Sequence, residues 1–316
     1  MASSTSVLSQ TELPLPKASQ PKNAALRFET PSFAETFNIE PLATAHNLSD
    51  LEIFSYDYLR SLAEKYLVNP ADAFVASSAP SANADFNSVP HGQHAPHVAM
   101  TLLDQAPYRV LLKRPEKYDS GFRELIDTLL ASISEARGGF GNDKIVRLES
   151  SVFVSSAKTT TPIHFDPEVG FFCQIAGEKI YHVYPPANVT EAELEPFYIK
   201  SSVEIGKVDV NRRDPAREHV FHLAAGKGLH QPQNAPHWVE TCSSQSISYS
   251  VVLETESTRS LGRTRAFNHY IRQAGMAPSE PGKHPATDAL KANAMNAILP
   301  MRKLAGKVVR SVKGQH

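Results

Sequence analysis

The sequence predicts a mainly β domain, an antiparallel sandwich or barrel with helices flanking it, and two observations carry that expectation. Amphipathic helical spacing dominates the front half of the chain and then stops. From Ile145 onward it gives way to short β-branched and aromatic runs bounded by turn residues. Strands that follow helices, and do not alternate with them, argue against a parallel α/β sheet.

Taken in order, residues 1–30 hold five Ser, three Thr and three Pro with little apolar periodicity, and read as a mobile arm. Residues 31–144 read as a front section of helices and loops. Phe54, Tyr58, Leu59, Leu62 and Tyr66 recur at helical spacing ahead of Asn69 and Pro70. The Ser/Ala/Asn/Pro-rich stretch 75–96 is a loop. A second helix carries Leu125, Ile126, Leu129, Leu130 and Ile133 on one face and stops at Gly138 and Gly139. Glycine recurs at Gly141, but no Lys-Ser/Thr follows, so this is a cap and turn and not a phosphate loop. Residues 145–258 supply the strands: 145–156, 171–175, 179–184 and 246–254, with Ala176-Gly177-Glu178 short enough to close a hairpin. Residues 259–316 form a basic helical extension, in which Thr287 caps a segment bearing Leu290, Met295 and Ile298, and Pro300 interrupts it.

The chain has 316 residues and a formal net charge of −1, with 41 % hydrophobic residues. Those values fit a globular protein and disfavour a dedicated nucleic-acid binder. The balance is uneven: residues 255–316 carry +8, leaving −9 on the rest. The basic tail reads as a solvated helical face, with a membrane surface or a homodimer through the C-terminal helices as alternatives. No apolar run is long enough to span a membrane, and the first twenty residues lack the pattern of a secretory signal. Only Cys173 and Cys242 occur, so a disulfide framework is excluded and a reducing cytoplasm is the expected compartment.

Chemistry concentrates in Thr161-Pro-Ile-His-Phe-Asp166. On a strand, His164 and Asp166 share a face and Phe165 takes the other, which aims one imidazole and one carboxylate into the interior. Seventy-three residues after His164, His237 follows Pro232 and precedes the only tryptophan, Trp238. His230 competes with it for the same role. Two histidines and a carboxylate are the facial set that holds Fe(II) and leaves three positions open. Two neutral imidazoles and one carboxylate leave such a metal at +1, which favours an anionic co-substrate such as 2-oxoglutarate. Its far carboxylate then needs a buried cation, and Lys179 begins the next strand. His182 lies three residues on and faces the other way. His91, His94 and His97 sit in loop-like sequence and read as solvent-exposed or substrate-contacting before they read as a second metal site. Cys173 and Cys242 read as inert thiols.

These residues, together with Phe171 to Lys179 and Tyr184-Pro185-Pro186, resemble the JmjC (cupin-like) 2-oxoglutarate oxygenases, the protein asparaginyl hydroxylases among them. The motif-bearing likeness covers residues 145–254. It implies a double-stranded β-helix, the jelly-roll barrel, with His164, Asp166 and His237 as catalytic iron ligands. Lys179 and Thr161 are the implied partners of the distal 2-oxoglutarate carboxylate. The implied activity is an Fe(II)-, 2-oxoglutarate- and O₂-dependent dioxygenase that hydroxylates a C–H bond of a protein side chain or small molecule, releasing succinate and CO₂. Alternatives are a cupin metalloenzyme that does not use 2-oxoglutarate and a non-catalytic jelly-roll binding protein. Two positions depart from the hydroxylase pattern: Gly170 stands where those enzymes carry Asn, and Val252 lies where a second Asn is expected, with Ser248 or Ser250 as substitutes. These departures bear on the substrate and leave the metal set intact.

Overall fold

In the computed structural model, residues 17–29, 33–86, 89–199 and 206–313 are described, with side chains to residue 299. Thirteen strands appear among them. They are β1 (Leu26–Phe28), β2 (Leu42–His46), β3 (Ala73–Ala76), β4 (Arg109–Lys113), β5 (Ile145–Ser155), β6 (Thr160–Phe165), β7 (Val169–Ala176), β8 (Lys179–Val183), β9 (Gly206–Lys207), β10 (His219–Leu223), β11 (Lys227–Gln231), β12 (His237–Thr241) and β13 (Ser246–Thr255). The helices are α1 (Phe33–Thr36), α2 (Tyr56–Lys65), α3 (Pro96–Met100), α4 (Ser120–Arg137), α5 (Glu191–Tyr198), α6 (Glu256–Gln273) and α7 (Pro285–Lys313). The strands build two antiparallel sheets. The larger runs β1-β2-β11-β7-β13-β5-β4-β3, and the smaller β10-β8-β12-β6-β9. This is the expected jelly roll.

Alternation along the strands separates three apolar layers. Phe172, Tyr181, Val183, Leu229 and Val239 fill the space between the sheets. On the outer face of the large sheet, Phe171, Cys173, Tyr249 and Val251 pack on Leu59 and Leu62 of α2 and on Phe122, Leu125 and Leu129 of α4. Outside the small sheet, Ile163, Phe165 and Tyr184 pack with Leu194 of α5. The expected helices form and α4 stops at the expected glycine, whereas Thr287, read as a cap, lies inside α7. Ser55 accepts the Tyr58 N–H at the start of α2, and α4 ends on Gly138 with φ +81°.

Four expectations are corrected. Residues 17–29, read as the end of a mobile arm, carry β1 paired to β2 and bury Ala18, Ala24 and Leu26; residues 1–16 lie outside those described. The front section is more than helices and loops, because β2, β3 and β4 are strands of the large sheet. Gly177 does not close a hairpin. At φ +69° it hands the chain from β7 in one sheet to β8 in the other, against the Gln245 backbone, where a Cβ would lie 2.2 Å from a carbonyl oxygen. Pro300 does not end a helix, since α7 runs through it to Lys313: proline removes one backbone donor while the turns on either side stay bonded. Along α7, Met295 is buried while Leu290 and Ile298 are exposed.

Candidate metal and anion centre

His164 lies near the end of β6, Asp166 just beyond it, and His237 opens β12 directly opposite His164. Their ligand-capable atoms all lie within 4.8 Å of one another, the one such group among the described residues. His164 Nε2 is 4.0 Å from one oxygen of Asp166, and His237 Nε2 is 3.7 Å from the other. Both rings are held from behind. His164 Nδ1–H donates to the Pro162 carbonyl at 2.7 Å, and His237 Nδ1–H donates to the Ala235 carbonyl at 3.0 Å. A carbonyl can only accept, so each Nδ1 keeps its proton and each Nε2 lone pair is turned toward Asp166. Burial holds the imidazoles neutral, His164 down to about 4 and His237 to about 3, with each other's company adding to the effect on His237. The Asp166 carbonyl accepts the Asn234 N–H at 2.8 Å, tying that side of the site to the loop before β12. Tyr181 stacks on His237 with centroids 5.3 Å apart, and Phe86 lies 4.6 Å from the His164 ring.

A register slip joins this centre to a second one. β6 pairs Thr161 with Val239 and His164 with His237, so Pro162 and Ile163 stand opposite Trp238 alone. The extra residue is a bulge. Strict alternation would turn Thr161 away from His164, three positions on; the bulge returns it to the face that carries Val239. The irregular backbone is satisfied: proline has no N–H to place, and the Ile163 N–H donates to the Ala82 carbonyl at 2.7 Å.

On that face Thr161 Oγ1 accepts from Arg109 Nη1 at 3.2 Å. Lys179 is 5 % exposed, with its ammonium 5.5 Å from the Phe172 ring and 5.9 Å from Phe153. Burial, reinforced by the Arg109 charge, pushes it down to about 7. Arg109 is itself lowered by burial to about 10. Arg109 thus links the two residues that the resemblance pointed to, hydrogen-bonding Thr161 and acting on Lys179 through its charge. No motif marks that arginine, because β4 is short and its sequence reads Tyr-Arg-Val-Leu-Leu-Lys without alternation in polarity.

The other candidates fall outside the site. His230 is fully buried on the far side of β11, stacked on Phe37, donating to the Gly170 carbonyl and accepting the Asn38 N–H. His182 stacks on Trp238 with centroids 3.7 Å apart, outside the barrel. His91 packs on Phe74, and His94 bonds the Tyr108 hydroxyl, so the three loop histidines form no cluster. Cys173 and Cys242 are unpaired, and burial raises both thiols. Gly170 and Val252 prove to be register partners across β7 and β13. Ser248 donates to Gln174 and is committed there.

Two antiparallel sheets closed over an inward-facing histidine, aspartate and histidine define the cupin class. Residues 38–247 match the cupin-like domain family, and the chain belongs to that JmjC-type family. It is similar to HSPB1-associated protein 1 of Rattus norvegicus, 25 % identical over 148 residues that make up 44 % of this chain and 31 % of that protein. It is also similar to JmjC domain-containing protein D of Dictyostelium discoideum, 28 % identical over 131 residues, 37 % of this chain and 29 % of that one. The chain thus spans about a third of the length of these curated relatives. Among solved structures, it overlays a ribosomal oxygenase, YcfD of Escherichia coli, determined in complex with cobalt and 2-oxoglutarate. That likeness has a TM-score of 0.44 at 17 % identity, over 87 % of this chain and 68 % of the other. Among the described residues no helix is long and apolar enough to cross a membrane.

Proposed function

We propose that this chain is an Fe(II)- and 2-oxoglutarate-dependent dioxygenase that hydroxylates a C–H bond of a protein side chain or small molecule, with release of succinate and CO₂. The observation that carries the reading is the pairing, inside one barrel, of three convergent metal-ligand atoms with a buried lysine that has no carboxylate partner among the described residues. The donor set fits Fe(II): two imidazoles already neutral and oriented, and one carboxylate, leave coordination positions free. His164, Asp166 and His237 would hold the metal, which when bound activates O₂ with the co-substrate as reductant. The protein's own part is orientation and electrostatics. The backbone carbonyls of Pro162 and Ala235 fix the imidazole tautomers, Thr161 and Lys179 receive the distal carboxylate, and Phe86, Phe153 and Phe172 keep the surroundings apolar.

Anaerobic addition of Fe(II) and then 2-oxoglutarate to metal-free protein tests this reading. A weak visible charge-transfer band that His164→Ala abolishes is the expected result. Iron binding without the band favours a cupin metalloenzyme of another kind, and absence of iron binding favours a binding scaffold.

A further inference from the structure

Within the co-substrate pocket of the proposed function, on which this inference rests, Arg109 presents an unused hydrogen-bonding edge. A guanidinium pairs with a carboxylate most tightly through its Nε–Nη2 edge, two parallel donors matching two oxygens. This protein uses that edge repeatedly. Arg259 sets Nε and Nη2 on one Glu254 oxygen at 3.0 and 2.6 Å; Arg265 spans Glu191 at 2.9 and 2.9 Å; Arg272 spans Glu195 at 2.8 and 3.0 Å. Arg109 differs. Its Nη1 is spent on Thr161, and its Nε is buried without a hydrogen-bond partner. The one charge felt by Lys179 is that of Arg109, so a buried lysine and a half-buried arginine act on one another, and among the described residues no carboxylate acts on either. Taking two like charges out of water is costly unless an anion arrives to pair them.

We infer that Arg109 is a second anchor of the distal carboxylate, binding it side-on through Nε and Nη2 while Thr161 fixes the guanidinium and Lys179 supplies a point charge from the other wall. Recognition of the co-substrate's far end then depends on planar geometry as well as on charge. It selects dicarboxylic keto acids over monocarboxylic ones more strongly than one lysine does.

Calorimetric titration of anaerobic, Fe(II)-loaded full-length protein with 2-oxoglutarate and, separately, with pyruvate tests this. Pyruvate offers the same keto-acid end and lacks the distal carboxylate. Arg109→Gln should weaken 2-oxoglutarate about 10- to 100-fold, the loss expected for a charged hydrogen-bonded contact, while pyruvate changes less than about threefold. Arg109→Lys should recover only part of the loss, because it restores charge without the fork. Equal losses for the two acids, or full recovery by lysine, overturn the side-on anchor. An unchanged 2-oxoglutarate affinity in Arg109→Gln overturns the inference alone. Failure of the wild-type protein to bind 2-oxoglutarate overturns the inference together with the function on which it rests.

Discussion

Replacing Lys179 with methionine should make the metal-free protein more stable, and most so below pH 7. The lysine is 5 % exposed between Phe153 and Phe172, and its charged neighbour is another cation. Burial and that neighbour take its pKa from 10.5 to about 7. At 1.36 kcal/mol per pH unit this difference corresponds to about 4–5 kcal/mol against the folded state. The sign follows from proton counts. Between pH 7 and 10.5 the unfolded chain keeps a proton that the folded chain has released, so this group's contribution to stability rises with pH. Below pH 7 both states hold the proton and the full penalty applies. Methionine has similar length and no charge, so Lys179→Met should gain about 3–5 kcal/mol at pH 6.5, and the gain should shrink steadily toward pH 10. Urea unfolding of both proteins at pH 6.5, 8 and 9.5 reads the difference, in which other titrating groups cancel. A destabilised variant, or a gap that does not narrow with pH, would refute the claim that this ammonium is held against the fold's own preference. The same variant should lose 2-oxoglutarate binding, so stability and function trade against one another at this residue.

Further outcomes follow from the geometry. His164→Ala, Asp166→Ala and His237→Ala should each weaken divalent-metal binding at least about 100-fold by calorimetry at pH 7.5. Because the two imidazoles are held at about 4 and 3, protons compete with metal at these rings only in acid; wild-type affinity that declines around pH 6.5 would count against this. Gly206→Ala would put a Cβ 2.0 Å from the ring of Phe165, which lies between His164 and Asp166, and should cost about 1–3 kcal/mol in thermal unfolding with weaker metal binding. Arg265→Met leaves Glu191 without its two-point partner between α5 and α6 and should cost about 2 kcal/mol, restored in part by adding Glu191→Gln.

The convergence of His164, Asp166 and His237 was legible because it obeys local rules. His164 and Asp166 are two apart on a strand, and periodicity alone aims them together. His237 stands out through the proline-rich turn and the tryptophan around it. Lys179 was legible through charge arithmetic, since an anion at the far end requires a cation. Arg109 was not: its contact with Thr161 comes from β4 lying beside β5 in the large sheet, a long-range pairing that leaves no trace in nearby residues. The hairpin at Gly177 misled for a related reason. A glycine in a three-residue turn is as compatible with a change of sheet as with a reversal within one, and only the partners of β7 and β8 distinguish the two. His230 looked like a competitor for His237, yet strand β11 turns it into the aromatic layer with Phe33 and Phe37. The helices were the most readable elements, because caps and apolar spacing are encoded within ten residues of each other.

The extra residue in β6 acts as a phase shifter between two pieces of recognition chemistry. On one side of Pro162 and Ile163 the strand is in step with Thr161 and the proposed anion end, and on the other with His164 and the proposed metal end. Each end can therefore keep its own two-residue rhythm without dictating the other's. Removing either residue would put the strand back in step along its whole length, and no side-chain substitution could then recover both ends at once. Point changes at Thr161 tune one end, whereas a single-residue deletion at the bulge uncouples the pocket as a whole. Single-residue length changes in this strand should therefore be far less tolerated than substitutions beside it.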